Sequence, residues 1–268
     1  MFGVSDLLDE LLALATDLAA DAATLLVDGL DRGRAEVSTK STSTDMVTEM
    51  DRASEALIVA GIRAHRPDDA IVGEEGADVT GTSGVRWLID PIDGTTNYLY
   101  GHPGFAVSIA AQIDGEVAVG VVHDALHDEV YRAARGHGAT RNNLTINAST
   151  QDVLQHALVG TGFSYEPARR QRQAEVLVEV LPHVRDIRRM GAASVDLCSV
   201  ACGRLDAYYE RGLGPWDLAA GALIAEEAGA VLGDLLGGRA SGEFVLAAAA
   251  GLFEPLRVLL EHGGAGSA

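Results

Sequence analysis

The chain has little of what would tie it to an oxidising compartment, a membrane or a polyanion. It holds 2 cysteines in 268 residues, Cys198 and Cys202. They stand four apart in a helical pattern, so they read as core fillers rather than as a disulfide or zinc pair. Apolar stretches such as Phe244–Ala250 are too short to span a bilayer. The N-terminus shows no basic segment followed by an apolar one and a small-residue cleavage site, and the expectation is a soluble cytoplasmic protein with no membrane association. Basic residues are scarce: 20 Lys and Arg against 39 Asp and Glu leave a formal charge of −19. That balance opposes direct nucleic-acid binding through a general basic surface, while clustered carboxylates attract divalent cations.

What the chain does have is apolar content, 47% of residues, and enough length for a substantial core in one layered domain or two joined halves. Val4, Leu7, Leu8, Leu11, Leu14, Ala15, Leu18, Ala22 and Leu25 recur at helical spacing and predict a long amphipathic helix ending near Gly29. A polar loop follows over Lys40–Asp45. Met50, Ala53, Leu57, Ile58 and Ile62 then mark a second helix that stops before Pro67, with Asp51 in its first turns. Ala70–Gly73 reads as a short strand running into Glu74, Glu75 and Gly76, and the segment to Gly84 as a loop. Phe105–Ile113 and Glu116–Val122 flank Asp114-Gly115, a strong hairpin signal, with short strands at Glu129–Ala134, Ala139–Arg141 and Leu144–Ile146. Residues 1–150 thus read as two long helices and an antiparallel sheet.

From about Asp152 the rhythm changes. Strands at Ala157–Gly160, Asp186–Met190, Leu205–Tyr209 and Val245–Ala249 alternate with helices at Gln171–Val180, Ala192–Cys202, Leu218–Ala228 and Leu252–Glu261. Residues 151–268 read as a smaller α/β half, and the Gly/Ala/Ser tail after Glu261 as disordered.

The chemistry concentrates at Trp87–Asn97. An apolar run delivers Asp90 to the end of a strand, Pro91 stiffens the exit, Asp93 follows, and Gly94 lets the backbone bend before Thr95, Thr96 and Asn97 open a helix. Carboxylates beside free N–H groups suit a cation beside a phosphate. For this stretch alone, a polar turn after a buried strand explains as much. Glu74 after its own strand and Asp217 at the start of a helix add acids where α/β folds gather functional groups. Hard oxygen ligands of this kind suit Mg²⁺.

Four segments together carry a resemblance. Gly73-Glu74-Glu75, Asp90–Asn97, Thr44–Asp51 and Trp216–Gly221 resemble the inositol monophosphatase family of Mg²⁺-dependent, lithium-sensitive phosphatases, in order and over almost the whole chain. Leu181–Gly191 and Gly203–Glu210 are most similar to its bacterial SuhB-type branch. The resemblance implies a five-layered α-β-α-β-α sandwich. It implies roughly two to three Mg²⁺ ions per site held by Glu74, Asp90, the Ile92 carbonyl, Asp93 and Asp217. Gly94 and Thr95 would offer N–H groups to phosphate, Glu74 and Thr95 would orient the attacking water, and Asp51 would pair with the Thr95 hydroxyl. Lys40 matches a family lysine near the metals. Glu210 matches a glutamate that contacts a hydroxyl of the substrate ring, and Gly191-Ala192-Ala193 matches the segment where phosphate or sugar sits, with Asp93 and Asp217 also facing substrate. Many relatives carry Thr or Ser at the position of Ala192, which bears on substrate preference. The expected reaction is hydrolysis of myo-inositol 1-phosphate by a homodimer. Histidinol phosphate, a fructose bisphosphate and an adenosine 3′,5′-bisphosphate are alternatives, as is a regulatory protein that keeps the fold.

Two motifs point elsewhere. Cys198 and Arg204 are spaced like a cysteine-dependent phosphatase loop, but the surrounding pattern is a continuous helix, which favours a buried thiol. Asp90 and Asp93 are one residue too far apart for the D-x-D nucleophile motif of haloacid-dehalogenase phosphatases. His65, His102, His123 and His127 share no ligand spacing and are expected at the surface or in turns.

Overall fold

The computed structural model describes residues 4–30, 37–39 and 46–267. The expected Lys40–Asp45 loop, with Lys40, lies outside the described residues.

Helix α1 (Val4–Gly29) is followed by a small ribbon of β1 (Val37–Thr39) and β2 (Met46–Thr48), then α2 (Glu49–His65). The next strands are β3 (Ala70–Gly73), β4 (Asp78–Val79) and β5 (Val85–Asp93). A six-residue helix, α3 (Thr95–Tyr100), leads to β6 (Ala106–Ile113), β7 (Glu116–Asp124), β8 (Glu129–Ala134), β9 (Ala139–Arg141) and β10 (Leu144–Thr145). These eight strands form one sheet in the order β10-β9-β8-β7-β6-β5-β3-β4. It is not wholly antiparallel as expected, because β3 and β5 run parallel. The chain crosses over between them through the Glu74–Gly84 segment, which contains β4 where a plain loop was expected.

The remaining elements are β11 (Leu158–Thr161), α4 (Pro167–Val180), β12 (Asp186–Arg188), α5 (Ala193–Ala201), β13 (Ala207–Glu210), α6 (Pro215–Glu227), β14 (Val231–Gly233), β15 (Val245–Ala248) and α7 (Ala250–His262). A second sheet has the order β12-β11-β13-β15-β14 and mixes parallel and antiparallel pairs.

Three apolar clusters define five layers, because successive residues of a strand face opposite ways. Trp87, Ile89, Val107, Ile109 and Val121 pack with Leu11, Leu18 and Leu26 of α1 and Ile58 and Ile62 of α2. Their strand neighbours Leu88, Ala110 and Val122 pack instead with Leu197 and Val200 of α5, Leu223 and Ile224 of α6, and Tyr208 of β13. Tyr209 and Leu246 face away, against Val176 of α4 and Leu252, Leu256 and Leu260 of α7. The order is therefore helices, large sheet, α5 and α6, small sheet, helices: the expected α-β-α-β-α sandwich. Among the described residues no helix is long and apolar enough to cross a membrane.

The C-terminal tail departs from expectation. Ala265–Ser267 form a short 3₁₀ turn with Ala265 buried in the α4/α7 cluster, and the Arg172 side chain donates to the Ser267 carbonyl at 3.0 Å. Small residues let the chain pack closely there, so their abundance did not signal disorder.

Candidate active site

Strand β5 carries the first acids. Its pairing with β6 runs regularly to Asp90 opposite Ser108, then resumes with Asp93 opposite Ala106, so three steps on β5 match two on β6. This bulge accommodates Pro91, whose missing N–H would break a regular ladder, and turns the strand end. The strand therefore continues through Pro91 to Asp93 rather than ending at Asp90. The Ser54 hydroxyl of α2 donates to the Pro91 carbonyl at 3.1 Å, and the Ile92 N–H donates to Asp90 Oδ1 at 3.0 Å. Gly94 then takes a left-handed conformation (φ 93°, ψ 38°) that starts α3.

Glu74 leaves β3 beside β5, its N–H donating to the Ile89 carbonyl at 3.1 Å. The turn that bears it is held from below by Glu55, a buried carboxylate of α2. Glu55 accepts the N–H groups of Glu75 at 2.9 Å and Ala77 at 3.0 Å. Asp217 comes from the first turn of α6, where its Oδ2 accepts the Gly214 N–H at 2.7 Å. The same turn is anchored to the large sheet through the Ser108 hydroxyl, which donates to the Trp216 carbonyl at 3.1 Å.

One ligand atom each from Glu74, Asp90 and Asp217 lie within 4.8 Å of one another. Asp93 lines the same cavity but is differently engaged: its Oδ1 accepts Ala193 N–H at 3.2 Å and its Oδ2 accepts Ser194 N–H at 2.6 Å, both at the start of α5. Burial pushes the Asp90 carboxyl well above the usual range, and the charges of Glu74, Asp93 and Asp217 add to it. Asp217 is pushed up to about 8 by burial and then by Asp93 and Glu74. Asp93 is pushed up to about 6 by burial, against the Ser194 hydrogen bonds that favour its charge. Like charges gathered out of water are relieved by a cation between them. The donors are all hard oxygens, so the set fits a divalent ion of the Mg²⁺ type.

These groups border a cavity of about 570 Å³. Ile92, Gly94 and Thr95 line it from the large-sheet side, and Gly191, Ala192, Ala193 and Glu210 from the small-sheet side. Thr95 Oγ1 lies 3.0 Å from Asp51 Oδ1 and 3.1 Å from the Ile92 carbonyl, all three residues being buried. The two sides are tied together by Asn97, whose amide donates to the Gly104 and Met190 carbonyls, each at 2.7 Å. Glu210 accepts the Tyr208 hydroxyl, and burial pushes its carboxyl up to about 7.

Sequence reasoning missed Asp196, Arg189 and Glu55. Asp196 and Arg189 line the cavity. For Asp196 the available signal was a charged residue set inside an otherwise apolar helical run, Ala192–Cys202. Cys198 is fully buried within α5, and burial pushes its thiol well up. Arg204 instead pairs with Glu129, Nη2 to Oε1 at 2.7 Å, and the cysteine-phosphatase spacing forms no loop. His123 corrects an expectation: it is buried on β7, 6% exposed, where burial lowers its pKa.

The model of the inositol monophosphatase family matches residues 7–264. The inositol-1-monophosphatase SuhB of Mycobacterium tuberculosis is 46% identical over 269 residues, 93% of each chain. The Nus factor SuhB of Escherichia coli is 38% identical, over 85% of this chain and 86% of that one. The crystal structure of the extragenic suppressor protein suhB from Bartonella henselae superposes with a TM-score of 0.89 at 32% identity, covering 95% of this chain and 99% of that one. The chain belongs to the inositol monophosphatase family, and its activity at that level is Mg²⁺-dependent phosphomonoester hydrolysis.

Proposed function

We propose that the chain hydrolyses myo-inositol 1-phosphate to myo-inositol and phosphate. The observation that carries this reading is the shared cavity: Glu74, Asp90, Asp93 and Asp217 border it together with Glu210, which suits a ligand anionic at one end and hydroxylated at the other. Glu74, Asp90, the Ile92 carbonyl, Asp93 and Asp217 would hold the Mg²⁺. The chemistry that Mg²⁺ supplies when bound is a lowered pKa for water and neutralisation of charge gathering on the leaving oxygen.

The chain's own residues do the positioning. The Thr95 proton has two protein acceptors, Asp51 and the Ile92 carbonyl, so its oxygen offers lone pairs to the cavity. A water held between that oxygen and the Glu74 carboxylate donates both protons and presents a lone pair to phosphorus. The backbone N–H groups of Gly94 and Thr95 orient the phosphate. The phosphorus–oxygen bond to the alcohol then breaks as the new one forms, the attacking water passing a proton to the Glu74 carboxylate and the leaving oxygen taking one from solvent water. No covalent nucleophile is needed, and the acceleration rests on positioning and electrostatics.

Purified protein with Mg²⁺ should release phosphate from myo-inositol 1-phosphate, and Asp93→Asn should lower kcat by roughly 100-fold or more. No release, or full activity of the variant, overturns the reading. A panel containing histidinol phosphate, fructose 1,6-bisphosphate and adenosine 3′,5′-bisphosphate, with and without lithium, separates the alternative substrates. The Escherichia coli relative's designation as a Nus factor favours a second, non-catalytic reading. Retention of the cellular role by Asp93→Asn would support it. The family resemblance also supports a homodimer, which sedimentation velocity tests.

A further inference from the structure

Helix α5 is apolar along most of its length, yet it carries Asp196 in its first turn. This residue is 1% exposed and borders the cavity, and its Oδ1 has no hydrogen-bond partner among the described residues. Buried acceptors are normally paired within the fold. A carboxylate held in such a place without a partner is poised for a donor that arrives from outside.

Its surroundings are shaped for that purpose. A Cβ at Gly160 would lie 3.2 Å from Asp196 Oδ1, and a Cβ at Gly162 would lie 2.0 Å from Glu210 Oε2. Two glycines two positions apart on the chain therefore leave room for two acids. Arg189, which also lines the cavity, favours the charged form of both. The possible metal ligands Glu74, Asp90 and Asp217 border the same cavity but gather without Asp196 or Glu210. Glu210 already accepts the Tyr208 hydroxyl, so it is Asp196, beside an arginine that supplies positive charge, that lacks a neutral hydrogen-bond donor.

We propose that Asp196 and Glu210 together accept hydrogen bonds from hydroxyls on the alcohol half of the substrate, making Asp196 a specificity residue for phosphomonoesters of polyhydroxylated alcohols. This rests on the phosphatase reading above and extends it to a residue outside the motifs that carry it. Burial, and then the charges of Glu210 and Asp93, push the Asp196 carboxyl well above the usual range, and hydroxyls donated by a bound alcohol would favour its charged form.

The test is a pair of substrates with Mg²⁺: myo-inositol 1-phosphate, and p-nitrophenyl phosphate, whose alcohol has no further hydroxyl. Asp196→Ala should raise KM for the polyol ester about tenfold, with kcat within about twofold, and should leave kcat/KM for p-nitrophenyl phosphate within about twofold. Asp196→Asn, which keeps the shape and one acceptor, should rescue part of the KM. Equal losses on both substrates would mean a structural role and overturn the proposal, as would no change on either. Should Asp196→Ala not fold, Asp196→Asn and the unmutated protein carry the test: the unmutated protein must bind the polyol ester about tenfold more tightly than p-nitrophenyl phosphate. If the unmutated protein hydrolyses other polyol phosphates but not the inositol ester, the substrate assignment fails. The same comparison, made with the polyol ester that is cleaved, still decides the role of Asp196.

Discussion

Gly94 offers a perturbation whose size follows from the structure. An alanine there must hold φ at 93°, in the left-handed region, which costs about 1–2 kcal/mol for a residue with a Cβ. The added carbon would also sit 2.8 Å from the Gly104 carbonyl oxygen and 3.2 Å from both Ala192 Cβ and the Gly191 carbonyl oxygen. These are backbone or short groups that cannot rotate away, and forced overpacking of this kind costs a further ~1–3 kcal/mol. At about 2.1 cal/mol/K of unfolding entropy per residue, a chain of 268 residues loses roughly 2 °C of Tm per kcal/mol. Gly94→Ala should therefore lower Tm by about 4–9 °C in differential scanning calorimetry.

Gly115 supplies the control. It is also left-handed, at φ 87° in the β6–β7 hairpin, but a Cβ there meets nothing within 4 Å. Gly115→Ala should lose only ~2–4 °C and keep its activity. Relief of the Gly94 contacts needs a shift of several tenths of an ångström at the N–H groups proposed to orient phosphate, so kcat should fall about tenfold. Equal Tm losses in the two variants, or unchanged kcat in Gly94→Ala, would refute the claim that this turn is held between both sides of the cavity.

The acid cluster predicts a linked effect of pH and Mg²⁺. The metal-free Asp217 titrates at about 8 when folded, against about 4 when unfolded, so its contribution to stability is present below pH 4 and is lost as pH rises to 8. The Tm of metal-free protein should fall across that window, and the Tm gain from 10 mM-scale Mg²⁺ should grow with it, since binding displaces protons. A Mg²⁺ gain that shrinks towards pH 8 contradicts this. Glu55→Gln exchanges one acceptor of the Glu74 turn for a donor that faces another donor, so it should lose about 1.5–3 kcal/mol and raise the Mg²⁺ concentration giving half-maximal activity. Cys198→Ala should keep kcat/KM within about twofold while lowering Tm slightly, because the thiol packs and does not react. Abolished turnover in a folded Cys198→Ala would revive the cysteine-phosphatase reading.

The elements best legible in the sequence are those whose cause is local. The Asp114-Gly115 hairpin needs only two residues at positive φ, and both are found there, at 51° and 87°. The long α1 helix declares itself through an apolar stripe. What escaped depends on partners far along the chain. The parallel β3–β5 pairing is a fact about two strands and the crossover between them, and β14 is a three-residue edge strand too short to show a strand period. The burial of His123 follows from β7 being central, which no property of the histidine reveals. The order of acids in the site motifs was readable, but not that Asp93 would find its donors on residues 193 and 194.

That long-range pairing gives the middle helical layer its importance. Helix α5 supplies the N–H groups on Asp93 and the carboxylate of Asp196, and α6 supplies Asp217. Both helices pack on the large sheet and on the small one, so the position of each acid is set by two packing surfaces at once. The approach is close: a Cβ at Gly120 of β7 would stand 2.9 Å from the Ala220 backbone of α6, and one at Gly221 of α6 would stand 2.8 Å from Leu197 of α5. Interiors packed at this density transmit displacement rather than absorb it. A buried cluster of like charges needs such a frame, since repulsion would otherwise spread the carboxylates before any cation arrived. The helices and sheets around the site thus do for the acids what no single motif can, holding them together against their own charge.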